Sequence, residues 1–354
     1  MHSQDLADPA LRLFTELLSV PAPSGREERI AAVIRAKLED WGYQPETDGS
    51  GNVLVRLPGQ KPDAPVCCLA AHMDEIALVV TRIEANGTLR VDRSGGLNPW
   101  KIGEGPVEII GDGETRIIGV LSMGSGHSEA GAAGTRWADT WVITGLTPRQ
   151  LQEAGVRPGS TAVPVREGRG PVVFGDPSDP LVAAWTFDDR MGCVALLRLL
   201  ETMRAQAIVP YRPTLAAFTV HEEGGSPGAK ALAHREGVET FISIDGCPMP
   251  ADAPLQLDGR PGIWSKDRLA HYDQRLLVAL CRAARLAKTE LQPVVYAEGA
   301  ASDASLVYSV GGAQRIACLG HVRENSHGYE VARLAVFENL YRTLLQFIRT
   351  WQGE

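Results

Sequence analysis

Three strand-sized runs of this chain are dominated by apolar residues without polar alternation, and each stops on an acid or a histidine. "VCCLAA" (66–71) runs into His72-Met73-Asp74-Glu75, "LAAFTV" (215–220) into His221-Glu222-Glu223, and "FISI" (241–244) into Asp245. A strand with no polar alternation belongs inside a sheet covered on both faces. A carboxylate beside such a strand is costly to bury unless a cation or a shared proton compensates it. The chain must therefore cover a sheet on both sides and supply compensation at the ends of its inner strands. The metalloprotease pattern H-E-x-x-H does not supply it, because Gly225 stands where the second histidine would be.

The rest of the chain alternates around these runs. Helical periodicity over 8–20 and 26–42, broken by "PAPSG" (21–25), precedes extended segments at 51–59 and 66–71. From residue 75 to 166 the character changes to short alternating segments such as "TLRVDR", "PVEIIG" and "TWVITG", separated by turns such as Asn86-Gly87 and Asp112-Gly113. No clear helix is expected there before 147–155. The α/β rhythm then returns, with helices expected at 188–206, 227–236, 268–288, 302–310 and 331–350, and strands at 214–220, 240–245 and 315–319. The expected fold is α/β: a mixed, mostly parallel sheet covered by helices on both faces, with an inserted small all-β domain. Residues 1–74 and 167–354 would form the α/β unit and residues 75–166 the insert.

Composition closes off several function classes. A net charge of −8 with no stripe rich in lysine or arginine speaks against a nucleic-acid partner. The apolar runs are strand-sized, well short of the roughly 20 residues of a membrane span, and the N-terminal stretch, with Asp5 and Asp8, does not read as a signal peptide. Six cysteines without C-x-x-C spacing read as small buried hydrophobes in a reducing cytoplasm.

In an open, mostly parallel sheet, ligand sites gather outside the carboxyl ends of the strands. "FDDRMG" places Asp188 and Asp189 at the start of a helix, and "RENSHGYE", after the apolar "RIACLG", brings His327 to the same edge. Singly, Asp188 reads as a helix N-cap and His327 as a solvated loop residue. Together with His72, Glu222, Glu223 and Asp245 they would bury several uncompensated carboxylates at one place, and a pair of divalent cations removes that cost. Imidazole and carboxylate donors without a thiolate suit zinc, cobalt or manganese, and two ions about 3.5–4 Å apart need a bridging carboxylate.

In order along the chain, "PAPSGREE", "AAHMDE", "FDDRMG", "TVHEEGGSPGA", "SIDG" and "RENSHGYE" resemble the M42 family of dinuclear metallo-aminopeptidases, relatives of the M20 and M28 peptidases. The resemblance implies that His72 and Asp245 hold one metal, Glu223 and His327 the other, and that Asp188 bridges them. It implies Glu222 as the general base and later acid, Asp74 orienting the His72 imidazole, and a strained or cis peptide between Asp188 and Asp189. Two divalent ions, zinc first and cobalt or manganese as alternatives, would act on a peptide substrate. The family's large homo-oligomers, built through an inserted β domain, imply one here, and the expected location is the cytoplasm. This chain departs from the family's usual pattern in having His221 before the two glutamates and one extra residue between Arg323 and His327. Asp303, in "SDAS" (302–305), reads as a substrate-positioning group or as an N-cap. His127, His221, His271 and His321 are assigned no metal.

Two other functions are compatible with the residues. The same cluster serves a deacylase, a dipeptidase or a hydrolase of a specialised small peptide. A non-catalytic binding or assembly relative would be expected to have lost a ligand or the base, and all of those positions are filled.

Overall fold

The computed structural model describes residues 8–125 and 136–353, so His127 lies outside the described residues. Helices α1 (Pro9–Leu18) and α2 (Glu28–Asp40) lead into strands β1 (Glu46–Thr47), β2 (Val53–Leu57) and β3 (Cys67–His72). Next come β4 (Ala77–Ile83), β5 (Leu89–Ser94), α3 (Pro99–Ile102), β6 (Gly105–Ile110), β7 (Arg116–Ser122), β8 (Trp141–Ile143), α4 (Pro148–Glu153) and β9 (Thr161–Pro164). A connecting stretch follows: α5 (Arg166–Arg169), β10 (Val172–Phe174) and β11 (Leu181–Trp185). The chain then forms α6 (Phe187–Ala205), β12 (Thr214–Thr219), α7 (Pro227–Glu236), β13 (Thr240–Ile244), β14 (Cys247–Pro248), β15 (Gly262–Lys266) and α8 (Gln274–Leu286). It finishes with β16 (Gln292–Val295), α9 (Asp303–Ser309), β17 (Arg315–Gly320), β18 (Val322–Arg323), β19 (Tyr329–Arg333) and α10 (Ala335–Thr350).

The fold is mixed α/β. Eight strands make one sheet in the order β1-β2-β12-β3-β13-β17-β15-β16. Its central strands β12, β3, β13 and β17 are mutually parallel. Antiparallel pairings add β2 and β1 on one side and β15 on the other, where β16 runs parallel to β15. Every residue of β3, β12 and β13 is buried, which requires cover on both faces. Removing side chains such as Phe218, Leu69 and Ile242 from water contributes about 1.5–3 kcal/mol each. Strands β4, β5, β8, β7, β6 and β9 close into an antiparallel barrel with its own apolar filling, including Leu78, Val91, Ile109, Leu121 and Val142. All six cysteines are free, and all but Cys281 are buried. No described helix is long and apolar enough to cross a membrane.

Three expectations about elements are corrected. The helix expected over 268–288 begins at Gln274. The preceding turn is fixed instead by Asp267, whose carboxylate accepts the Leu269 and Ala270 N–H groups at 2.8 Å and the Tyr272 hydroxyl at 2.9 Å. The helix expected over 331–350 begins at Ala335, because residues 329–333 are held as a strand against β11. A short helix, α3, also lies within the stretch where none was expected before residue 147.

Candidate metal centre and active site

Parallel strands deliver their carboxyl ends to one edge, and the polar residues follow from there. Thr219 of β12 is in register with His72 of β3, so the turn carrying Glu222 and Glu223 starts beside His72. Asp245 follows β13 directly, and β17 and β18 lead to the loop that carries His327. Asp188 enters at the start of α6, just past β11 of a three-stranded sheet ordered β10-β11-β19, and the Asp188–Asp189 peptide is cis.

These side chains converge in two groups. Ligand atoms of His72, Asp188 and Asp245 lie within 4.8 Å of one another, and those of Asp188, Glu223 and His327 likewise. Asp188 belongs to both and presents one oxygen to each: Oδ1 lies 3.2 Å from His72 Nε2, and Oδ2 lies 3.4 Å from His327 Nε2. His327 Nε2 is also 3.7 Å from Glu223 Oε1. The longer loop before His327 therefore still reaches the cluster, with Asn325 and His327 both at φ 59°.

Asp74 anchors the arrangement from behind. Its Oδ1 lies 3.4 Å from His72 Nδ1 and accepts the Glu222 N–H at 2.9 Å. Its Oδ2 accepts the Glu223 N–H at 3.2 Å and the Ser24 hydroxyl at 2.6 Å. Asp74 thus orients an imidazole, with its main-chain carbonyl oxygen 3.1 Å from His72 Nδ1 beside the carboxylate, and the backbone of both neighbouring glutamates. Asp189 does similar work, accepting the His72 N–H at 3.2 Å and the Gly192 N–H at 3.0 Å.

Arg323 and Glu330, to which the sequence reading gave no role, complete the support. The buried Arg323 guanidinium donates to Asp188 Oδ2, and its Nε lies 2.8 Å from Glu330 Oε1. Glu330 in turn accepts the Asp188 N–H and the His327 N–H, each at 3.0 Å. Both residues sit inside "RENSHGYE", and the signal available in the sequence was an arginine and a glutamate flanking a candidate ligand. Among the other candidates, His221 donates its backbone N–H to Glu27 at 3.1 Å, and His321 lies tilted against Phe187 with its Nε2 3.3 Å from Arg323 Nη1. Neither they nor His271 belong to the two groups. The cap of α9 is Ser302, in a capping box with Ser305. Asp303 is the first helical residue instead, and accepts from Thr219 at 2.6 Å.

The electrostatics fit a cation site. Burial pushes the Asp245 carboxyl up to about 8, with the nearby Asp188 charge adding to the shift. Burial likewise raises Glu223 and carries Glu222 well above the ordinary carboxylate range. Neither Asp245 nor Glu223 forms an ion pair with lysine or arginine among the described residues. For His327, burial alone would lower the imidazole, but the facing Glu223 and Asp188 outweigh it and lift it to about 10. Carboxylates that are this expensive to ionise, set among imidazoles, are what divalent metal binding relieves. The donor set, all oxygen and nitrogen, fits such an ion. Asp188, Glu222, Glu223, Asp245 and His327 line a cavity of about 450 Å³.

Residues 51–342 match the family described as M42 glutamyl aminopeptidase. The chain belongs to that family. The glutamyl aminopeptidase of Lactococcus lactis is 27% identical over 335 residues, covering 89% of this chain and 88% of its own. Among solved structures, a TET aminopeptidase from a marine sediment thaumarchaeon superposes with a TM-score of 0.87 at 22% identity, covering 97% of both chains. The TET1 peptidase of Pyrococcus horikoshii, described as assembling into a tetrahedron or a large octahedral shell, superposes with a TM-score of 0.84 at 24% identity, covering 97% of this chain and all of its own.

Proposed function

We propose that this M42 aminopeptidase removes N-terminal residues from peptides at a centre for two divalent metal ions, with Glu222 as the proton carrier. The observation that carries the reading is Asp188, which offers one oxygen to each of two ligand groups in the cavity that Glu222 lines. His72 and Asp245 would hold one ion and Glu223 and His327 the other, with Asp188 between them. Zinc is the first candidate, with cobalt and manganese as alternatives. Bound there, such ions supply Lewis acidity toward a peptide carbonyl and toward water.

The chain's own groups do the rest. Glu222 accepts the proton of the attacking water and delivers it to the leaving amine. A carboxyl raised by burial is suited to holding that proton between the two steps. Asp74, bonded to the Glu222 N–H and facing His72 Nδ1, fixes base and ligand relative to each other. The acidic character of the cluster as a whole attracts a substrate's free α-amino group, which directs cleavage to the first peptide bond. We further propose residues 1–74 and 167–354 as the catalytic unit and 75–166 as an inserted unit serving assembly. The separate apolar filling of the barrel supports that division, and the assemblies of the TET1 relative support a homo-oligomer.

The test is Glu222→Gln, assayed for bound metal and for hydrolysis of aminoacyl anilides with free and N-acetylated termini. The expected result is retained metal with turnover lowered by about 10²–10⁴, wild type acting only on free termini. Full activity in the variant removes Glu222 from the mechanism. Wild-type cleavage confined to N-acetylated substrates replaces the aminopeptidase with a deacylase.

A further inference from the structure

The cavity has walls of two kinds. One is the cluster of carboxylates and histidine. The other is formed by Pro248, Trp264, Gly299, Ala300, Ala301 and Leu306, none of which carries a charge.

The apolar wall also lacks free polar atoms at its aromatic residue. Trp264 Nε1 lies 3.2 Å from both the Gly246 carbonyl oxygen and Cys247 Sγ. Tyr296 packs edge-on against the indole with centroids 4.6 Å apart, and its hydroxyl donates to the Pro248 carbonyl at 2.8 Å. The hydrogen-bonding groups that could have faced a ligand are spent inside the wall, which fixes the indole in place.

No spare charge remains among the described lining residues. Arg323 is the only arginine or lysine there, and its guanidinium is engaged by Asp188, Glu330 and Ser326, with His321 3.3 Å from Nη1. The four lining carboxylates are those given to metal binding and proton transfer. A substrate held by its amino terminus and first carbonyl at the ionic wall has the uncharged wall left for its first side chain. A glutamate there would lose water without meeting a cation, and a lysine would compete for carboxylates already in use. An apolar side chain gains from the same desolvation.

We infer that the protein selects peptides whose first residue is apolar, of roughly the size of leucine, methionine or phenylalanine, and discriminates against glutamyl and lysyl termini. This rests on the aminopeptidase reading and sharpens it, and it separates this chain from what the name of its Lactococcus relative states for that protein.

The test is a panel of leucyl, methionyl, phenylalanyl, alanyl, glutamyl and lysyl anilides, run on the metal-loaded protein in its native assembly. The expected kcat/KM for leucyl or methionyl exceeds that for glutamyl and lysyl by at least about tenfold. A second arm uses Leu306→Lys, which sets a cation in the uncharged wall. Its ratio of glutamyl to leucyl kcat/KM is expected to rise at least about tenfold over wild type. A glutamyl or lysyl substrate at or above leucyl in the wild type overturns the inference and leaves the aminopeptidase standing, as does an unchanged ratio in Leu306→Lys. Cleavage of none of the panel by protein shown to carry metal overturns the aminopeptidase reading and this inference with it.

Discussion

Burial raises the carboxyls of Asp245, Glu222 and Glu223, because it penalises their charge more than the neighbouring imidazoles favour it. That has a consequence for the metal-free protein. An acid whose folded-state value is raised binds protons that the unfolded chain has already released, so stability falls as pH rises between the unfolded and folded values. For Asp245 that interval runs from 3.8 to about 8. His327 adds the same sign: its stabilisation is complete below 6.5 and is lost as pH rises toward about 10. Asp188, held well below 3.8 by Arg323 and the two histidines against the opposing effect of burial, loses its contribution only in acid. The chelator-treated protein is therefore expected to melt several degrees lower at pH 8 than at pH 5 in a calorimetric series. A melting temperature that climbs across that interval contradicts the charge balance described for the site.

At the scale of elements, the inner strands were legible because their sequences are mostly apolar with no polar alternation, and β3, β12 and β13 lie where those runs placed them. Strands β15 and β16 were not legible. β16, four residues long, is the edge strand and β15 lies beside it outside the parallel centre of the sheet, and the stretch between them read as one long helix over 268–288. Of the site, the residues that end buried strands could be found, since an acid there has no ordinary explanation. Arg323 and Glu330 could not, because their roles arise from contacts with Asp188 that no spacing encodes. Nor was the approach of the barrel to the site visible in sequence. The turn after β5 comes so close that a Cβ on Gly96 would stand 2.4 Å from His327 Nδ1. Gly96→Ala must displace that imidazole, and metal affinity at the site shared by Glu223 and His327 is expected to fall about 10–100-fold, read by equilibrium dialysis. Unaltered affinity would mean that the barrel turn does not set the position of His327.

At the scale of the whole molecule, the chain leaves the sheet for the barrel past a buried carboxylate. Glu75, just past β3, accepts from Arg169 Nη2 at 2.8 and 2.9 Å, from Arg190 at 3.3 Å, from Trp185 Nε1 at 3.1 Å and from the Ala22 N–H at 2.8 Å. Burial would raise Glu75, but the two guanidiniums outweigh it and keep it ionised. This one residue ties the first helical segment, the connecting stretch and α6 to the end of the strand that carries His72 and Asp74. The ion pairing is satisfied internally here, whereas Asp245 and Glu223 have no lysine or arginine partner among the described residues. That contrast is the basis of the central claim, that the cluster is built around two cations sharing Asp188. It is tested most directly by counting divalent ions per chain, by mass spectrometry after chelation and reloading with zinc, in wild type and in Asp188→Ala. Two ions per wild-type chain and fewer than one in Asp188→Ala is the predicted result. A wild-type chain that saturates at one ion, or an Asp188→Ala chain that still holds two, would contradict it.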